Sequence, residues 1–95
     1  MKRYSEIVEE SFYKDKIKEL ESIFPDIYEV WEAISWLLGR NPYEGDLLPI
    51  DNKHYLLTTH SIDEHKPIFR VLYRYEEDEG KVYLLSLSMI QSEAE

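Results

Sequence analysis

The stretch Pro67–Ile90, PIFRVLYRYEEDEGKVYLLSLSMI, decides the fold. Phe69, Val71, Tyr73 and Tyr75 alternate with Ile68, Arg70, Leu72 and Arg74. A period of two is the mark of a strand with one face in the core. After the acidic break Glu77-Asp78-Glu79-Gly80 a second apolar run follows, Val82–Ile90. Tyr83, Leu85, Leu87 and Met89 read as one row, and Val82, Leu84 and Ile90 with two serines as the other. So continuous a run predicts a strand covered on both faces. Gly80 takes positive φ at little cost, so the break predicts a hairpin with a bulged or longer turn.

Working outward, the segment before the hairpin predicts one more strand. His54–His60, HYLLTTH, is aromatic and β-branched, and a polar loop, Ser61–Lys66, follows it. Upstream of it, Arg40–Asp46 is turn chemistry, with Asn-Pro and Gly-Asp pairs. Leu47–Ile50 is a short apolar segment closed by Asp51-Asn52.

Two helices precede these strands. Tyr13, Ile17, Leu20 and Phe24 recur at spacings of four, three and four, a single helical stripe. Ser11 is placed to cap this helix and Pro25 to end it. Ile27, Val30, Trp31, Ile34, Leu37 and Leu38 form a second and cleaner stripe. Asp26 with Glu29 predicts a capping box at its start, and Gly39 a left-handed close. Pro25-Asp26 between them predicts a tight helical hairpin. Tyr4–Glu10, YSEIVEE, reads as a short first strand whose charges suit a sheet edge. The fold class is therefore α+β: a two-helix hairpin packed on a small antiparallel sheet, in the order β-α-α-β-β-β, as one domain over residues 1–95.

Composition narrows the function. Ninety-five residues, 43% of them hydrophobic, make one globular domain rather than two or a disordered chain. The absence of cysteine removes disulfides, thiolate metal sites and thiol nucleophiles. No basic segment followed by an apolar one opens the chain, and no apolar run approaches the ~20 residues of a membrane span. The expectation is a cytoplasmic protein with no membrane partner. Eleven basic residues against 20 acidic ones give a net charge of −9, which argues against a general nucleic-acid binder. The same charge serves solubility.

FPDIYEVWEAISWLLGRNP (Phe24–Pro42), IFRVLYRY (Ile68–Tyr75) and KVYLLSLSMI (Lys81–Ile90) resemble corresponding segments of the RelE/ParE superfamily of bacterial type II toxins. The order of elements agrees with that family over nearly the whole length. The resemblance implies a toxin neutralised by an antitoxin protein. One branch of the family cleaves mRNA on the ribosome without a metal, and another inhibits DNA gyrase. In the nuclease branch a 2′-OH is activated, arginine and lysine stabilise the phosphorane, and a protonated group assists the leaving oxygen. By the resemblance Arg70 matches the family's strand arginine and Tyr73 its tyrosine, with Phe69 at the first aromatic position. The family's lysine-bearing strand falls on Tyr55–Thr59, where this chain has Leu56 and Thr58. The basic residues that follow the last strand fall near Ile90 and Gln91, and Ser92-Glu93-Ala94-Glu95 stands where the family carries a catalytic tyrosine or histidine. Each absent charge stabiliser costs about 10²–10³ in rate. The leading expectation is thus a toxin-like protein that acts by binding a macromolecular target and is itself bound by an antitoxin. The alternatives are a metal-independent mRNA endoribonuclease using Arg70, and a non-toxic interaction domain that only dimerises.

The candidate catalytic residues are Arg70, Tyr73, Arg74 and His54. Arg70 and Arg74 share a strand face and could hold a phosphate, with His54 or His60 on the neighbouring strand as acid or base. The simpler account, favoured here, is a solvated face whose arginines pair with Glu76, Glu77 or the acidic loop. His54, His60 and His65 match no metal-ligand spacing, since six strand residues span roughly 20 Å. No metal and no cofactor are expected. Phe69, Tyr73, Tyr75 and Tyr83 could stack bases, but their alternation favours the core. Trp36 lies five positions past Trp31, off the helical stripe. It either meets a partner or second copy or covers the sheet edge. Glu76–Glu79 lacks the ligand spacing of a calcium loop and reads as a solvated turn.

Overall fold

The structure, a computed structural model, describes residues 4–59 and 68–90. Its elements are β1 (Glu6–Glu9), α1 (Ser11–Glu21), α2 (Ile27–Arg40), β2 (Asp46–Leu47), β3 (His54–Thr58), β4 (Ile68–Glu76) and β5 (Lys81–Ile90). The strands form one sheet in the order β1-β5-β4-β3-β2. Neighbours from β2 to β5 pair antiparallel, and β1 lies parallel to β5. The expected α+β fold and its order hold, with one correction and one addition. The sheet is mixed rather than antiparallel, because β1 runs parallel to β5, and a two-residue β2 forms where the predicted turn meets the short apolar segment. His60 and His65, and the polar loop that was read as running to Lys66, lie outside the described residues.

The core explains the architecture. From α1, Tyr13, Ile17 and Leu20 are buried, with Phe24 packed beside them, so the four-three-four stripe is the face that meets the sheet. From α2, Ile27, Ile34 and Leu38 are buried, with Val30, Trp31 and Leu37 partly so. The sheet answers with Tyr55, Leu57, Phe69, Val71, Tyr73, Val82, Leu84 and Leu87. Burying a side chain of this kind is worth about 1.5–3 kcal/mol. Both helices therefore lie on one face, and the opposite face of the sheet carries no described helix.

The hairpin β4–β5 is built as its sequence predicts at the turn. Glu79 and Gly80 donate their amides to the Glu76 carbonyl at 3.1 and 2.9 Å, and Gly80 sits at φ 66°. The rows of β5 need correction. Tyr73 pairs with Leu84 but Leu72 pairs with Ser86, so Leu85 is an extra residue, a β-bulge. The bulge inverts the alternation. Val82 and Leu84 point inward before it, Leu87 and Met89 after it. The unbroken apolar run thus reflects a phase change along a strand buried on one face, not burial on both.

The helix ends differ from expectation for reasons that lie in neighbouring strands. Glu10, not Ser11, occupies the N-cap of α1, and no side chain caps it. Its amide donates to Leu84 O at 3.1 Å, which holds Glu10 extended until the helix begins. α1 stops at Glu21, before Pro25, because the amides of Ile23 and Phe24 both turn back to Leu20 O. Asp26 stands at the N-cap of α2 but its carboxylate makes no cap bond, so the capping box does not form. Gly39 is helical. α2 runs one residue past it, and Asn41 closes the helix by donating to Leu37 O at 2.7 Å. The Gly39 carbonyl instead accepts from Ser5 N at 2.8 Å and ties the end of α2 to the start of β1.

Candidate functional site on the open face of the sheet

Residues on β4 whose neighbours are buried must point the other way. Phe69, Val71 and Tyr73 are in the core, so Ile68, Arg70, Leu72 and Arg74 project from the open face. Register places their neighbours. Arg74 lies between His54 on β3 and Tyr83 on β5. Leu72 lies between Leu56 and Ser86, and Arg70 between Thr58 and Ser88. Ile68 pairs with Ile90. Side chains directly opposite in such pairs stand about 4.5–5.5 Å apart at Cβ, so these rows form one continuous surface.

The structure brings three of the four predicted residues together and separates the fourth. Arg70, Arg74 and His54 share the open face, with His54 directly opposite Arg74. Tyr73 is on the core side and fully buried. Its hydroxyl donates to Pro42 O at 2.8 Å and accepts from Gly45 N at 2.9 Å. Burial pushes its pKa up to about 12. Its ring stacks on Tyr55 at 5.3 Å, and Tyr43 meets Tyr55 and Tyr75 edge-on. Tyr73 is therefore a strut that holds the Pro42–Gly45 loop against the sheet. It cannot take part in chemistry on the opposite face. Single-residue alternation separates it from Arg74, and that signal is present in the sequence.

The remaining groups differ in how far they are already committed. Arg74 Nε lies 2.9 Å from Glu76 Oε2, and its guanidinium sits 4.4 Å above the Tyr83 ring centroid. The Arg74 Nε–H is buried without an aligned acceptor, so this is an ion pair by proximity. Lys53 reaches the other Glu76 oxygen at 3.2 Å. His54 Nδ1 is 2.9 Å from Asp51 Oδ1, and that hydrogen bond is the main reason the Asp51 carboxyl is held below its ordinary pKa. Tyr83 donates to Glu79 Oε1 at 2.6 Å, a bond that raises its pKa. Arg70 is exposed, flanked by two hydroxyl side chains, and has no acidic partner among the described residues. The expected pairing of the arginines with Glu76 thus holds for Arg74. Alternation in the sequence does not announce Lys53 as a second partner of Glu76, nor Tyr83 as the ring beneath Arg74. Counting back from the turn, Glu76 opposite Lys81 puts Arg74 opposite Tyr83, so the hairpin register carried that signal.

Of the other aromatics singled out, Phe69 and Tyr73 are core, Tyr75 packs against the core, and Tyr83 carries Arg74. Trp31 is on the core stripe and donates its indole N–H to Glu9 at 3.0 Å. Trp36 is 60% exposed. It stacks on Arg40, whose guanidinium lies between its ring, at 4.0 Å, and that of Tyr4, at 4.6 Å. Among the described residues no cluster of three or more His, Asp or Glu side chains could hold a metal ion. No described helix is long and apolar enough to cross a membrane.

The whole framework has counterparts among solved structures. The toxin–antitoxin complex RelBE2 from Mycobacterium tuberculosis contains a chain that superposes with a TM-score of 0.72 at 15% identity, covering 97% of this chain and 98% of that one. The fold is RelE-like. The toxin RelE of E. coli, solved free as a double arginine-to-alanine mutant, superposes with a TM-score of 0.67 at 14% identity, over 90% of this chain and 82% of its own. No family model matches the sequence, and neither does any curated protein. Identities this low carry the RelE-like architecture and not the RelE-like side chains, so what the open face does follows from the residues present.

Proposed function

We propose that the chain is the toxin-like component of a type II toxin–antitoxin system, acting by binding a macromolecular target and neutralised by a cognate antitoxin. The observation that carries this reading is a RelE-like fold over nearly the whole chain whose open face has, in the middle of β4, the single cation Arg70 with no acidic partner among the described residues. A phosphorane needs several charge stabilisers, each worth about 10²–10³ in rate. Here Arg74 and Lys53 share Glu76, and the positions beside Arg70 and Leu72 on β3 are Thr58 and Leu56. Such a face suits binding better than RNA cleavage. That one structural neighbour was solved within a toxin–antitoxin complex supports an antitoxin as partner.

The test is expression of the full chain alone and together with each adjacent reading frame. Growth arrest by the chain alone, relieved by a neighbour that co-purifies with it, is the expected result. No growth effect and no complex with either neighbour would overturn the proposal.

One observation favours a second reading, metal-independent RNA cleavage. His54 and Arg74 are directly opposed, and Arg70 lies on the same face four residues along β4, so an acid/base and two cations share one surface. Cleavage of mRNA in cells by the wild type, abolished in Arg70→Ala, would replace the binding proposal. Equal or absent cleavage in both would remove the nuclease.

A further inference from the structure

The open face is not electrically uniform, and its pattern selects a class of target. Along β4 it runs Ile68, Arg70, Leu72, Arg74, with neighbours Ile90, Ser88, Ser86 and Tyr83 on one side and Thr58, Leu56 and His54 on the other. At the Arg74 end most charges are answered within the chain: Arg74 and Lys53 by Glu76, and His54 by Asp51, while Lys81, opposite Glu76, makes no ion pair among the described residues. Over the rest, the Leu56–Leu72 pair and the Ile68–Ile90 pair stand on either side of Arg70. All four are half-buried. Strand geometry puts alternate residues roughly 7 Å apart, so Arg70 is a single cation between two apolar rows.

RNA binding requires the opposite distribution. Its affinity comes from cations that each displace counterions from a phosphate, with a salt slope of about −0.7 per phosphate neutralised on a single strand. Among the described residues the face offers only Arg70 and, at its far end, Lys81 without an ion pair, and on a chain of net charge −9 these supply little of this. Apolar side chains around a central arginine are the composition of a protein-interface core.

We infer that the open sheet face docks a protein segment that lays apolar side chains on the Leu56–Leu72 and Ile68–Ile90 pairs and one carboxylate on Arg70, and that it does not dock RNA. The inference rests on the toxin-like reading above and names the class of its target. The matching segment carries Asp or Glu between two apolar residues that project on the same side. Thr58 and Ser88, beside Arg70, add hydroxyls able to donate to the same carboxylate.

The experiment uses the purified full chain. Peptides are selected against it from a random phage-displayed library, and the tightest are synthesised. Their binding to wild type, Arg70→Gln and Leu72→Lys is measured by fluorescence polarisation beside a labelled short single-stranded RNA. Arg70 is exposed, so Arg70→Gln keeps the fold even if Leu72→Lys does not. Selected peptides should carry a carboxylate flanked by apolar residues. Their affinity should fall about tenfold or more in Arg70→Gln, and as much when the peptide carboxylate becomes an amide. The RNA should not bind. Peptides that bind wild type and Arg70→Gln alike overturn the inference, as does failure to select any peptide or RNA binding that Arg70→Gln abolishes. The growth assay separates this from the parent proposal. Toxicity that survives Arg70→Gln and Leu72→Lys leaves the toxin reading standing without this face. Peptide binding by a non-toxic chain leaves the face standing without the toxin.

Discussion

Tyr73 shows what one hydroxyl can decide. It sits one position from Arg74 and one face away, bonded to both Pro42 O and Gly45 N. Tyr73→Phe leaves the Gly45 amide and the Pro42 carbonyl without that partner, and should lower stability by about 1–3 kcal/mol in chemical denaturation. Its effect on any activity should follow stability alone, because the ring is not on the open face. Gly45 meets the same hydroxyl from the other side. A Cβ there would lie 2.9 Å from Tyr73 Oη and 3.0 Å from Leu56 O, and the second of these is backbone. Gly45→Ala should therefore destabilise the fold, with a loss comparable to that of Tyr73→Phe. At Asp51 the charge is set by His54. The carboxyl pKa is depressed in the folded chain, so the stabilisation is present above the ordinary value of about 3.9 and is lost as pH falls through the lower folded value. An NMR titration should place Asp51 below that ordinary value, and His54→Ala should raise it toward that value.

At the scale of elements, the bulge in β5 and the end of α2 are the informative places. Leu85 is the residue that lets Val82 and Leu84 point inward on one side and Leu87 and Met89 on the other. Deleting it leaves Ser86 opposite Leu72 and Leu84 opposite Tyr73, with no change in which later residues face the core. The deletion should retain a cooperative thermal transition. Inserting one residue after Ser86 should abolish it, because Leu87 and Met89 would then turn to the open face. At the end of α2, Gly39 is helical and a Cβ would find only Ser5 O, at an ordinary 3.5 Å. Gly39→Ala should stabilise the chain by about 0.5–1 kcal/mol, read as an increase in denaturation midpoint without a change in slope. A left-handed Gly39 would predict the opposite sign.

For the whole molecule, the sheet has two faces with different tasks. One is closed by the helix pair and holds the large buried side chains. The other carries no helix among the described residues, and its charges are largely answered within the chain. Association through such a face should depend weakly on salt. Raising ionic strength should change binding of a selected peptide far less than it changes that of a polyanion-binding protein, because one arginine contributes one charge contact. A steep loss of affinity with salt would show that more cations engage than Arg70.

The sequence by itself determined the helical stripes, the hairpin with its left-handed Gly80, and the acidic balance that disfavours nucleic acid. These rest on local periodicity and composition, which a short window contains. It also placed Arg70 and Arg74 on one face, because alternation along β4 is unbroken. Tertiary structure decided the parallel entry of β1, the bulge at Leu85, the unaided start of α1 and the helical state of Gly39. Each of those depends on residues far along the chain: Glu10 bonded to Leu84, Ser5 bonded to Gly39, and β5 paired with β4 across the bulge. Which cations remain free was likewise settled by cross-strand register, since a carboxylate such as Glu76 can neutralise Lys53 only once β3 and β4 are side by side.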